Sequence, residues 1–238
     1  QLALSRLFSI VEAATDLQRR GKEVLLISSG AVGLGCAALG LERTPDSIEE
    51  RQACAAVGQT RLMRIYDAGF GRLGVVSGQV LLTESDFDDR VRYLNLRSTL
   101  LTLLRHGVVP IINENDAVST DELAFVEGAN RPVFGDNDRL SALVATKLGA
   151  DLLVLLTDVR GVYDADPRSK PEAALLSRVD DPDSLGDLSD QAGPGGTGGM
   201  SSKVAAARTS VRGGCQAIIA SGLEPGNLEA VLSGAETG

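Results

Sequence analysis

Five short, mostly aliphatic runs alternate with longer stretches of helical periodicity, and this alternation constrains the fold more than any other feature. The runs are Val24-Leu25-Leu26-Ile27, Val75 to Leu82, Val108-Val109-Pro110-Ile111-Ile112, Leu152 to Leu156 and Ala217-Ile218-Ile219. Each is short, rich in branched residues and nearly free of charge, as expected of a strand buried on both faces. Before the first run, Leu4, Leu7, Phe8, Val11 and Ala14 recur at helical spacing, with Arg6, Glu12 and Asp16 between them. Ile48 to Leu73, Val91 to Arg105, Leu140 to Leu148 and Lys203 to Val211 also read as helices, and Gly58 marks an expected break in the first of these. Pro110 has no N–H to give a ladder, so it is expected near the edge or start of its strand. Strands that alternate with helices in this way predict an α/β fold, a three-layer αβα sandwich around a mainly parallel sheet. No internal repeat and no dividing linker is visible, so residues 1–238 are expected to form one domain.

Composition narrows the function. Hydrophobic residues make up 43% of the chain but aromatics only 3%, which calls for an aliphatic core. A formal net charge of −9 argues against a nucleic-acid surface, while leaving room for a small anion held locally by backbone N–H groups and a lysine. Cys36, Cys54 and Cys215 are far apart and odd in number, as in reduced thiols of a cytoplasmic protein. With His106 as the single histidine, a histidine metal site or a Ser-His-Asp triad lacks material, and no metal-ligand set is assigned. No apolar run approaches membrane-spanning length and no signal peptide is evident.

Five polar clusters stand at the ends of strands or the starts of helices. Ser28-Ser29-Gly30-Ala31, followed by Gly33 and Gly35, is either a plain strand-to-helix turn or a loop that lets backbone approach a ligand. Asn113-Glu114-Asn115-Asp116 ends a strand, where ligands of open parallel sheets bind; the cluster either caps the next segment or grips an ammonium group. Gly135-Asp136-Asn137-Asp138 precedes a helix expected near Leu140, so Asp138 is either its N-cap or part of a site. Thr157-Asp158 follows another strand and offers either a turn or a nucleotide contact. Gly195-Gly196-Thr197-Gly198-Gly199-Met200-Ser201-Ser202-Lys203 opens a helix and can cradle phosphates, although it is not a Walker A motif because Ser202, not Gly, precedes the lysine. Residues 116–135 read as a hairpin or lid, and 180–199 as a mobile segment.

Taken in order, Ile27 to Val32, Ala55-Ala56-Val57-Gly58-Gln59, Ile112 to Val118, Gly135 to Asp138 and Gly196 to Lys203 resemble the amino-acid kinase family, and within it the branch that phosphorylates glutamate. The resemblance implies that Ser29, Asp116 and Asn137 bind L-glutamate. It implies that Thr157, Asp158 and the loop Thr197, Gly198, Gly199, Met200, Ser201, Ser202 and Lys203 contact ATP. Lys203 would stabilise the phosphoryl group in flight, with Asp136 or Asp138 organising the site. It further implies Mg2+ as cofactor, γ-glutamyl phosphate as a product passed towards proline synthesis, feedback by proline at residues 116–135, and a homo-oligomer, dimer or tetramer. A carboxylate is already a nucleophile, so such a transfer needs alignment and charge compensation but no general base. The family's opening strand and its lysine-bearing loop are not found in this sequence, which starts at Gln1 without Met, and further chain is expected upstream. A C-terminal RNA-binding-like domain, present in many bacterial relatives, is not found either. The alternatives weighed are a relative acting on acetylglutamate and a non-catalytic amino-acid-binding module.

Overall fold

A computed structural model of the chain describes residues 4–83, 85–118, 137–165, 170, 172–180, 199–224 and 226–235. They fall into two compact units, Gln1–Gly135 and Asp136–Gly238.

The first unit contains helices α1 (Leu4–Arg19), α2 (Ala31–Ala38), α3 (Ile48–Arg72), α4 (Ser85–Asp88) and α5 (Arg90–Arg105), with strands β1 (Leu26–Ile27), β2 (Val76–Leu82) and β3 (Val108–Glu114). The strands form a parallel sheet in the order β1-β3-β2. Leu7, Val11 and Ala14 of α1 join Leu62, Tyr66 and Phe70 of α3 and Val109 and Ile111 of β3 in one aliphatic-rich core. Helix α1 ends where Gly21 turns into the left-handed region at φ 79°, with Lys22 N–H donating back to the Leu17 carbonyl at 3.0 Å.

Two expectations fail here for physical reasons. Pro110 lies within the central strand, opposite Gly78 of β2, and not at an edge. The Ser28 N–H donates to the Ile112 carbonyl, so by the two-residue alternation of a strand the backbone nitrogen of residue 110 also faces β1. That strand begins only at Leu26, opposite Ile111, so no ladder bond is lost at Pro110. Gly58 does not break its helix, because α3 runs uninterrupted from Ile48 to Arg72. Its N-cap Ser47 accepts from the Glu50 N–H at 3.3 Å, and Glu49 and Glu50 complement the positive end of the helix dipole.

Gly58 serves packing instead. A Cβ on Gly58 would fall on the carbonyl oxygen of Ala31, and a Cβ on Gly35 would fall on that of Cys54. Helices α2 and α3 therefore cross backbone to backbone, a separation only glycine permits. Two turns further along α3, the buried Tyr66 hydroxyl donates to Ser28 Oγ at 2.8 Å and ties the helix to the end of β1. Burial raises the Tyr66 phenol above its ordinary pKa of 10.0, and the Ser28 bond opposes that only in part.

The second unit contains α6 (Asn137–Leu148), β4 (Leu152–Thr157), α7 (Met200–Arg212), β5 (Gln216–Ser221) and α8 (Asn227–Leu232). Strands β4 and β5 pair in parallel from Leu152↔Gln216 to Thr157↔Ser221. Ala142 and Ala145 of α6 and Met200, Val204 and Ala206 of α7 pack with Leu153, Leu155 and Ile219 of the strands. Every strand pairing within the two sheets is parallel, as the alternating pattern predicts. No helix among the described residues is long and apolar enough to cross a membrane. The three cysteines are buried and free of disulfides.

Gly58→Ala is expected to cost about 3 kcal/mol or more in urea unfolding, because backbone on both helices must move. Gly71→Ala on the same helix meets open space and should be neutral or gain up to about 1 kcal/mol. The Tyr66→Phe variant should lose about 1 kcal/mol near pH 8. The phenol's pKa is higher folded than unfolded, so its contribution is complete below the unfolded value and is lost as pH rises through the folded one. Wild-type unfolding midpoints should therefore converge on those of Tyr66→Phe as pH climbs past about 10, and parallel profiles would refute the assignment.

Candidate functional site

Within the first unit, the carboxyl end of the sheet opens into a cavity of about 210 Å³. Its floor and walls come from Gln79 and Leu81 of β2, Glu114 at the end of β3 and the following Asn115, Asp116 and Ala117. Ala55, Ala56, Gln59 and Thr60 of α3 form the opposing side, a stripe at positions i, i+1, i+4 and i+5 of one helix face. Ala31, the first residue of α2, completes the lining.

The polar groups at this cavity are of two kinds. Glu114 is 5% exposed and Asp116 half-buried, so two carboxyl groups and the Asn115 amide offer oxygen acceptors to a cation. The donors are Gln59 and the start of α2. Gln59 is 8% exposed, and its Oε1 accepts from Asn113 Nδ2 at 2.9 Å. Its Nε2 is buried with no hydrogen-bond partner among the described residues, a condition that costs about 1–3 kcal/mol. Helix α2 begins after Gly30, which takes φ 106° and supplies no side-chain cap. Its first-turn N–H groups have no intrahelical acceptors, and Leu34 is the first to donate back, to the Gly30 carbonyl at 3.0 Å. A cavity with acceptors on one wall and donors on the other suits a molecule bearing both an ammonium and a carboxylate.

In the second unit, Lys203 in the first turn of α7 reaches Asp138 at the start of α6. Its Nζ donates to Oδ1 at 2.8 Å and to Oδ2 at 2.9 Å, and both side chains are largely buried, at 14% and 12% exposure. Helix α6 starts at Asn137, so Asp138 lies inside the first turn and not at the N-cap of a helix beginning near Leu140. Both helices lead by short turns into the strands that follow them, which sets their N-termini towards the carboxyl ends of β4 and β5. There Thr157 Oγ1 and Asp158 Oδ1 lie 3.4 Å apart, and the Gly222 N–H donates to the Thr157 carbonyl at 2.8 Å. Helix α7 follows Gly199, again with no side-chain cap, and Ser202 and Lys203 fold back on the Gly199 carbonyl at 3.1 and 3.3 Å. Met200 is 8% exposed and packs into the core, while Ser201 is exposed. Among the described residues no cluster of three or more His, Cys, Asp or Glu is placed to hold a metal ion.

The residues singled out by sequence thus divide. Asp116 lines the cavity, while Ser29 is exposed and is not among the lining residues. Asn137, Asp138, Thr157, Asp158, Gly199, Met200, Ser201, Ser202 and Lys203 belong to the second unit, where Asp138 and Lys203 meet. Asp136, Thr197 and Gly198, with most of segments 116–135 and 180–199, lie outside the described residues. Gln59 and Glu114 stand in motifs the sequence exposes, but the sequence alone assigns no side-chain role to Gln59. Among its apolar neighbours it looks like one polar residue on a core helix.

A family model described as "Amino acid kinase family" matches residues 3–221. A protein named "Glutamate 5-kinase" from Trichormus variabilis is 48% identical over 238 residues, spanning 98% of this chain and 62% of its own length. One of the same name from Gloeobacter violaceus is 49% identical over 241 residues, spanning 100% of this chain and 62% of its own. This chain therefore spans about three fifths of the length of these curated relatives. Among solved structures, X-ray structures of isopentenyl phosphate kinase align at TM-score 0.59 with 16% identity, covering 95% of this chain and 86% of that one, a likeness that carries the α/β fold alone. By the match to its family model and by these relatives, the chain belongs to the amino acid kinase family.

Proposed function

We propose that this chain transfers the γ-phosphate of ATP to the side-chain carboxylate of L-glutamate, forming γ-glutamyl phosphate for proline synthesis. The observation that carries this reading is its 48% identity, over nearly its whole length, to relatives named "Glutamate 5-kinase". The cavity in the first unit supports it, being of amino-acid size and lined by acceptors for an ammonium and donors for a carboxylate. Asp116 and Ser29 are proposed as glutamate-binding residues, and so, from its motif, is Asn137. The uncapped start of α7, with Thr157, Asp158 and residues 197–203, is the proposed nucleotide-holding edge.

A carboxylate acceptor is ionised at neutral pH, so the protein's work is alignment and charge compensation. Lys203 offsets charge on the transferred group, and the bidentate bond to Asp138 fixes its ammonium so that little reorganisation is needed. Asp136, close to Asp138 in sequence, is proposed to share that organising role. Mg2+ is proposed to accompany the nucleotide phosphates and to keep much of its water shell. Proline feedback, assembly into dimers or tetramers and a cytoplasmic location belong to the same reading.

ADP release from MgATP should depend on L-glutamate and fail with acetylglutamate or aspartate; turnover with acetylglutamate and none with glutamate would refute the substrate. Lys203→Ala should lower kcat by about 10²–10³-fold while glutamate affinity stays within a few-fold, since its charge matters most in the transition state. Equal losses in both would count against that role.

A further inference from the structure

Resting on the acceptor reading above, we infer that Gln59 is a glutamate-binding residue, whose side-chain N–H2 donates to the non-reacting α-carboxylate. Three observations lead there. Gln59 lines the cavity and is more than nine-tenths buried. Its amide is oriented, because Asn113 Nδ2 donates to Oε1 at 2.9 Å and so fixes which end of the amide carries the N–H2. That Nε2 is a buried side-chain donor left without an acceptor among the described residues. A buried polar group is normally satisfied by protein, water or ligand, and an acceptor is what this one lacks.

The choice of carboxylate follows from size and depth. A cavity of about 210 Å³ accommodates an amino acid but not a nucleoside triphosphate. The reacting carboxylate must stay accessible to the nucleotide, which leaves the α-carboxylate for a buried donor such as Gln59. Glu114 and Asp116 offer acceptors to the ammonium beside it. A neutral amide donor suits this task, since it binds a carboxylate without drawing in the γ-phosphate as a lysine would.

The backbone geometry holds the donor in place. Gly58, the residue before Gln59, touches the Ala31 backbone at the helix crossing, so Gln59 cannot shift along α3 without moving α2. Gln59 is therefore expected to set KM for glutamate and to leave the chemical step alone.

Gln59→Met and Gln59→Glu, both close to isosteric, test this in the full chain by steady-state kinetics with L-glutamate and ATP. Gln59→Met should raise KM for glutamate by about 10- to 100-fold, the loss expected for one hydrogen bond to a charged group. Its kcat and its KM for ATP should stay within about threefold of wild type. Gln59→Glu keeps the acceptor for Asn113 but sets an oxygen where the donor was, and should raise KM for glutamate further still. A glutamate KM unchanged in both variants would overturn the inference. So would a joint loss of kcat, ATP affinity and thermal midpoint, which marks a merely structural role. Wild-type enzyme with neither turnover nor saturable glutamate binding would overturn the acceptor reading itself, and this inference with it.

Discussion

The first unit is organised around a place where two helices touch backbone to backbone. At Gly35 and Gly58 there is no room for a single methyl group, because each faces a carbonyl on the opposite helix. Two consequences follow from that close crossing. The N-terminus of α2, with its uncapped N–H groups, is brought against the face of α3 that carries Ala55, Ala56 and Gln59. The rest of that α3 face, through Leu62, Tyr66 and Phe70, is seated on the core beneath β3. A pocket at the end of a parallel sheet is common, but in this one the helical wall is packed backbone to backbone against α2.

Polar placement in the second unit follows a different logic. Asp138 and Lys203 come from the first turns of two helices that share a core, and their bidentate contact is nearly dry. A pair of this kind is weak evidence for stability, because desolvation offsets much of the attraction. Its value lies in direction: the ammonium is held at one point near an uncapped helix start. In the proposed reaction, transfer to a carboxylate that needs no base, such preorganised charge would be the main thing the protein adds.

Much of this is legible in the sequence, and the failures have definite causes. Parallel strands are readable because an uninterrupted aliphatic run such as Leu152 to Leu156 needs cover on both faces, which flanking helices supply. The strands Leu152–Thr157 and Val76–Leu82 fall within a residue of expectation. Asn113 to Asp116 can be placed at a strand end because the apolar run stops there. Gly58 reads as a break because propensity sees the lost side chain and not the neighbouring helix that requires its loss. Pro110 is misplaced by sequence because its tolerance depends on how short β1 is, a fact about another strand. Gln59 is legible only as a letter in a motif, since its unpaired N–H exists only once Asn113 has claimed the other end of the amide.

The central claim is that the cavity at the carboxyl end of β2 and β3 is where an acidic amino acid binds. Titrating the isotope-labelled chain with L-glutamate, while following backbone and side-chain amide resonances by NMR, tests it most directly. The account predicts saturable shifts in the amides of residues 31–34 and 115–117 and in the Gln59 side-chain NH2. Saturable binding that leaves all of these unmoved, with shifts confined to the groove of about 550 Å³ between α7 and β5, would contradict it.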